Sequence, residues 1–145
     1  MKNIILTALF AFLSLNIFAQ TATNEKDSTT FKGYLYNQKY NVYLQIDFYH
    51  NSIKVPYQEI YGELPGYFGD KQDGRKWLFT NATIKNKNTA EIQIINDYGS
   101  EDLTATLTKV NDSTFVLKQG KGSTIKIARN RKWLKMPDTL EFVKK

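Results

Sequence analysis

From Phe31 onward, apolar and polar residues alternate with a period of two, and β-branched and aromatic side chains fill the apolar positions. Few segments are long enough to carry a 3.6-residue period, so the pattern predicts an all-β domain. Phe31–Tyr36 reads as a first strand, with Phe31, Gly33 and Leu35 on one face and Lys32, Tyr34 and Tyr36 on the other. Tyr40–Tyr49 follows, its core face made by Val42, Leu44, Ile46 and Phe48 and its opposite face by Tyr43, Gln45, Asp47 and Tyr49. Ile53–Val55 begins a third strand that Pro56 confines to an edge or ends. In Arg75–Ile84, Trp77 and Phe79 oppose Lys76, Leu78 and Thr80. Strands are then expected at 89–96, 102–110, 114–119, 123–129 and 130–135, separated by Asn, Asp, Ser and Gly turn residues. Leu140 and Phe142 are placed to anchor the end of the chain on the core.

Pro56–Gly69 interrupts this regularity with three tyrosines, three glycines, two prolines and two glutamates. Its glycines and prolines bend an edge strand; they do not cradle phosphate, because no helix follows to supply a positive end. Pro65-Gly66 reads as a turn or bulge and Gly69–Gly74 as a polar loop. Eight or nine short strands with local connections predict a single small antiparallel meander barrel, lipocalin-like in architecture, with a two-layer β-sandwich as the alternative. Arg75-Lys76-Trp77-Leu78 recurs as Arg131-Lys132-Trp133-Leu134, but the flanking alternation does not repeat with it, so it is read as coincidence and not as duplication.

Upstream of the domain, Lys2 and the apolar run Ile4–Phe18 end in Phe18-Ala19-Gln20, the pattern of a secretory signal peptide cleaved after Ala19. The apolar run is about 15 residues, short of the roughly 20 that span a bilayer, so no transmembrane segment is expected after cleavage. Residues 1–19 are thus assigned to the signal, 20–30 to a flexible polar leader and 31–145 to the β domain. The short basic start and the Phe-Ala-Gln ending look bacterial, which places the mature protein in the periplasm or outside the cell. The chain has no cysteine and one histidine, His50. Disulfides, thiol nucleophiles, cysteine zinc sites and His-rich metal sites are thereby excluded, and no cofactor is expected. Charge is uneven: from Gln20 to Leu117 ten Lys and Arg face twelve Asp and Glu, whereas from Lys118 to Lys145 nine face two. Such a basic end attracts anionic partners or simply keeps the protein soluble.

Catalytic constellations are weak. Glu59 and Glu63 would lie about 13 Å apart on an extended strand, beyond the roughly 9.5 Å limit of a glycosidase pair, so a glycan hydrolase would need a bend or help from Asp47. His50 lacks a serine elbow and reads as a turn residue. Asn96–Asp102 is rich in oxygen ligands but lacks EF-hand spacing, and suits an Asx-bonded hairpin loop.

Aromatic bias is the most informative signal, since thirteen aromatic residues lie between Phe31 and Phe79. The expectation is a non-catalytic binding module in which Tyr34, Tyr36, Tyr43, Tyr49, Tyr61, Tyr67 and Trp77, with Glu59, Glu63 and Asp47 as polar groups, line a ligand cavity or partner surface. The ligand classes in view are a small molecule, a glycan or an envelope protein; nucleic acid suits an exported protein poorly. The alternative is an inhibitor or assembly partner of an envelope protein acting through the basic segment Lys118–Lys135. Expressed from Met1 in a bacterial host, the protein should be recovered from the periplasm or medium starting at Gln20 by N-terminal sequencing; a cytoplasmic product retaining Met1 would refute the signal assignment.

Overall fold

The computed structural model describes residues 27–145; the expected signal peptide and most of the leader lie outside the described residues. Eight strands form a closed antiparallel barrel: β1 (Lys32–Asn37), β2 (Val42–Asp47), β5 (Gly66–Asp70), β6 (Lys76–Ile84), β7 (Thr89–Asn96), β8 (Asp102–Lys109), β9 (Thr114–Gly122) and β12 (Thr139–Lys144). The order is a meander closed by pairing of β1 with β12, where Leu35 opposes Lys144 and Tyr36 opposes Val143. Two insertions leave the barrel. An arm of β3 (Ile53–Lys54), a 3-10 turn at Glu59–Tyr61 and β4 (Glu63–Leu64) separates β2 from β5; a hairpin of β10 (Lys126–Arg129) and β11 (Lys132–Lys135) separates β9 from β12.

Alternation delivers one set of side chains to the interior, and that set fills it. Leu35, Leu44, Phe68 and Trp77 face inward in register across β1, β2, β5 and β6, and Ile46, Gly66, Phe79, Ile94 and Leu103 form a row beside them. Phe115, Leu117, Leu140 and Phe142 complete the core from β9 and β12, all at most 2% exposed. The barrel is a packed core and not a ligand-holding calyx. The outer face of β6–β9 carries Thr83, Glu91, Gln93, Thr104 and Thr106, the reverse of the apolar-outside arrangement of a membrane barrel.

The closed meander is the predicted architecture, and individual segments depart from their expected form. Gly66–Asp70, expected as a turn followed by a loop, is a wholly buried strand between β2 and β6. Its glycines are required by close approach. A β-carbon on Gly66 would stand 2.4 Å from the Gln45 carbonyl oxygen, and one on Gly69 would stand 2.4 Å from Cζ of Tyr43, whose ring lies across it. Similarly, Gly120-Lys121-Gly122, expected as a turn, lies within β9, where the β8 register shifts between Leu103 and Ala105.

Each barrel end is closed differently. At the end bearing the chain start, Phe31 stacks on Phe48 at 5.7 Å and meets Phe115 edge-on, and residues Asp27–Thr30 are tied down by a side-chain turn on Asp27 and by Lys144 Nζ donating to the Thr29 carbonyl. At the other end, Ile125, Ile127 and Met136 of the hairpin region plug the mouth. Arg129 descends from β10 to Asp70, with Nη1 to Oδ2 at 2.6 Å and Nη2 to Oδ1 at 2.9 Å, and Nη2 also donates to the Tyr40 carbonyl. The hairpin reverses through Asn130 and Arg131, both at positive φ, as a two-residue turn matching strand twist demands. Substituting Gly66 by Ala should cost about 2–3 kcal/mol in urea unfolding, because the clash is with backbone; Gly69→Ala should cost less, since the Tyr43 ring can give way. Equal, negligible effects would show that β5 does not need its close approach.

Candidate functional site

Outward-facing residues of β1, β2, β5 and β6 build an aromatic layer outside the barrel. Register places Tyr34, Gln45, Tyr67, Leu78 and Ile95 in one row, and Tyr36, Tyr43, Gly69 and Lys76 in the next. Tyr34 stacks on Tyr43 at 5.2 Å, and Tyr43 meets Tyr67 edge-on at 5.8 Å. The arm folds over part of this layer: Val55 is buried with Tyr67 and Leu78, and Ile53, Tyr61 and Leu64 pack against them. Burial pushes the Tyr43 hydroxyl well above the ordinary phenol value, and the neighbouring Tyr67 hydroxyl adds to the shift. The Lys71 ammonium lies 5.6 Å from the Tyr34 ring centroid and 5.5 Å from that of Tyr36, within cation–π range. Tyr36 donates to Asn41 Oδ1 at 2.7 Å, while the Tyr34 hydroxyl is buried without a hydrogen-bond partner among the described residues.

The remaining expected residues are dispersed. Tyr49 lies at the chain-start end, its hydroxyl accepting the Phe31 N–H at 3.0 Å. Glu59 sits on the 3-10 turn and Glu63 on β4, both exposed, so the regular strand that would align them with Tyr61 does not form. Gly62, at φ 64°, ends that turn. Asp47 is buried and organises its own corner, accepting the N–H groups of Tyr49 and His50, both at 3.1 Å, and lying 3.0 Å from His50 Nδ1. Burial pulls its pKa up, but the His50 and Tyr49 hydrogen bonds outweigh it and hold the carboxyl below its usual value. Ser52 Oγ reaches Asp47 and not His50, so these three groups form a capped turn, without the chain of proton acceptors a nucleophilic serine needs. In the β7–β8 loop, Asn96 Oδ1 accepts the N–H groups of Ser100 and Glu101, the Asx bonding expected of a hairpin loop.

A second concentration of aromatic groups lies at the barrel mouth, where Arg75, Trp77, Asn96, Asp97, Tyr98, Ser100, Glu101, Lys126 and Trp133 line an open cleft of about 240 Å³. Trp77 forms its floor, with Nε1 donating to the Lys126 carbonyl at 3.1 Å. Tyr98 and Trp133 are 79% and 60% exposed, far more than a structural role in the core requires. The Arg75 guanidinium lies 5.0 Å from the Trp133 ring centroid, so the two Arg-Lys-Trp-Leu segments meet here although they are no internal repeat. Lys126 Nζ and Glu101 Oε1 pair at 2.7 Å across the cleft. Tyr61 reaches its rim, its hydroxyl 3.7 Å from where a β-carbon on Gly99 would sit.

Thus Tyr34, Tyr36, Tyr43 and Tyr67 come together on the outer face, Tyr61 bridges toward the mouth, and Trp77 joins the core while flooring the cleft. Tyr98, Trp133 and Arg75 were missing from the sequence-derived set. The recurrence of Arg-Lys-Trp-Leu marked two of them but gave no reason for the segments to meet. No protein-family model, curated protein or solved structure matches this chain.

Because the Tyr34 oxygen is buried and unpaired, Tyr34→Phe should leave the unfolding free energy unchanged or raise it by up to about 1 kcal/mol. A loss of more than about 1 kcal/mol in urea titration would show that the hydroxyl has a partner in solution.

Proposed function

We propose that this is an exported, non-catalytic binding module whose ligand is held outside the barrel, in the aromatic cleft at its mouth. The observation that carries this reading is the pairing of Tyr98 and Trp133, two large aromatic side chains left open to solvent around a single cleft. Exposed tryptophan and tyrosine side chains held on a rigid support are the usual anchors of recognition, since each offers a broad apolar face with few torsions to freeze. The support is rigid here: Trp77 beneath is fixed by its hydrogen bond, and the hairpin carrying Trp133 is fixed by Arg129. The filled interior supports binding outside the barrel, and the His50–Asp47–Ser52 geometry supports a non-catalytic role. The aromatic layer on the outer face then serves to seat the arm, which brings Tyr61 to the cleft's rim.

A second reading keeps the basic segment as a protein-binding surface. It is favoured by β11, all four of whose residues are exposed and which pairs, among the described residues, with β10 alone. Lys132 and Lys135 flank Trp133 and Leu134 on that strand, and lysines there also discourage indiscriminate edge pairing.

Arrays of oligosaccharides and of peptides, probed with labelled protein, separate these readings. Cleft binding predicts a retained ligand whose signal falls about tenfold or more in Tyr98→Ala/Trp133→Ala and is unchanged in Arg131→Glu/Lys132→Glu. The reverse pattern would transfer function to the basic surface, and a signal indifferent to both pairs would overturn cleft binding.

A further inference from the structure

We infer that the mouth cleft recognises uncharged pyranose rings of an oligosaccharide, an assignment that rests on the cleft being the binding site and adds the class of its ligand. A sugar ring presents a patch of C–H groups on one face and hydroxyls around its edge. The cleft offers the complement of both. Trp133 and Tyr98 supply the apolar faces, and Asp97, Ser100 and Glu101 supply oxygens on the adjoining β7–β8 loop, whose shape the Asn96 amide fixes from within.

Charge decides between a neutral ligand and an ionic one. The cationic groups around the cleft are engaged within the protein: Lys126 with Glu101 at 2.7 Å, Arg75 with Asp73 at 3.0 Å, and Lys76 Nζ with the Gly74 carbonyl at 2.8 Å. Asp97 accepts the backbone N–H of Lys76 at 3.2 Å. An anionic ligand would meet Lys126 and Arg75 already neutralised by Glu101 and Asp73, and would bring its charge beside the carboxylates of Asp97 and Glu101. A polyhydroxyl ligand needs no counter-charge. Its hydroxyls both donate and accept, so they can use the second carboxylate oxygens and remaining N–H groups while the ion pairs stay intact.

Pre-organisation points the same way. The Arg75 guanidinium packs on the Trp133 ring and is itself held by Asp73, so the indole is oriented before a ligand arrives and less entropy is lost on binding. The volume of about 240 Å³ lies below the roughly 300–1,000 Å³ of pockets that enclose a whole drug-sized molecule. An open cleft of this size holds one or two rings and leaves the rest of a chain in solvent.

Isothermal titration with four neutral probes (chitotriose, cellotetraose, mannotetraose and galactotetraose), one anionic probe (trigalacturonate) and one aromatic tripeptide tests the assignment. At least one neutral probe should bind with a Kd between about 10 µM and 5 mM, the range of a shallow site. Its affinity should be insensitive to raising NaCl from about 0.05 to 0.5 M, because no net charge is matched. Trp133→Ala should weaken it about tenfold or more, and Trp133→Phe, which keeps a ring, should restore most of the loss. Binding of trigalacturonate or the tripeptide alone, lost in Trp133→Ala, would overturn the sugar class while leaving the cleft as the binding site. Binding unchanged in Tyr98→Ala/Trp133→Ala would overturn both. No heat with any neutral probe up to about 10 mM overturns the sugar assignment.

Discussion

The bidentate pair between Asp70 and Arg129 holds the mouth end of the molecule together. Asp70 is the last residue of β5 and Arg129 the last of β10, so one contact ties the barrel wall to an insertion that shares no ladder with it. The Asp70 side chain is 4% exposed and that of Arg129 is 20% exposed, and the carboxylate raises the guanidinium's pKa further above its ordinary value. Removing one member of such a buried pair leaves a stranded charge, at a cost of about 3–5 kcal/mol. The planar fork matters as much as the charge: two parallel bonds and a third to the Tyr40 carbonyl fix the direction in which the hairpin leaves the mouth. Trp133 stands where it does because of that direction.

Two separate apolar assemblies follow from one strand alternation. Inward residues form a continuous core, and the outward residues of β1, β2, β5 and β6 would be an exposed aromatic sheet without the arm. Covering them changes what tyrosine does here. Tyr43 stays protonated beneath Tyr34 and Tyr67, and the layer acts as a seat for Ile53, Val55 and Leu64. Exposed apolar surface persists at the arm tip, in Tyr57 and Ile60, and at the mouth, in Tyr98 and Trp133. The mouth combines it with a concavity and fixed polar groups.

The barrel was legible in the sequence because period-two alternation in β2, β6, β7 and β8 is nearly unbroken, and each such strand forms close to its expected limits. β5 was not, because Gly66 and Gly69 remove the alternating signal at just the positions where neighbouring groups crowd the backbone. Composition marks such a strand as a loop; only the partner strands reveal it. The tyrosines illustrate a related limit. Alternation put Tyr34, Tyr36 and Tyr43 on an outward face, but nothing local says that Tyr67 joins them or that the residues after Pro56 turn back to cover them. The cleft was harder still, since Arg75, Tyr98 and Trp133 come from three connections distant in sequence and brought together by closure.

Pairing of β1 with β12 joins the ends of the described domain, and the Lys145 N–H donates to the Tyr34 carbonyl as its last stitch. A ring closed by its first and last strands cannot be completed by any partial chain. While the polypeptide is still emerging, whether from a ribosome or through a membrane pore, β1 has only β2 beside it and its other edge is unsatisfied. The β1–β12 pairing therefore waits for the last strand, and the entropy of closing so long a loop slows its formation. The topology itself withholds the closed barrel until β12 is available to pair with β1.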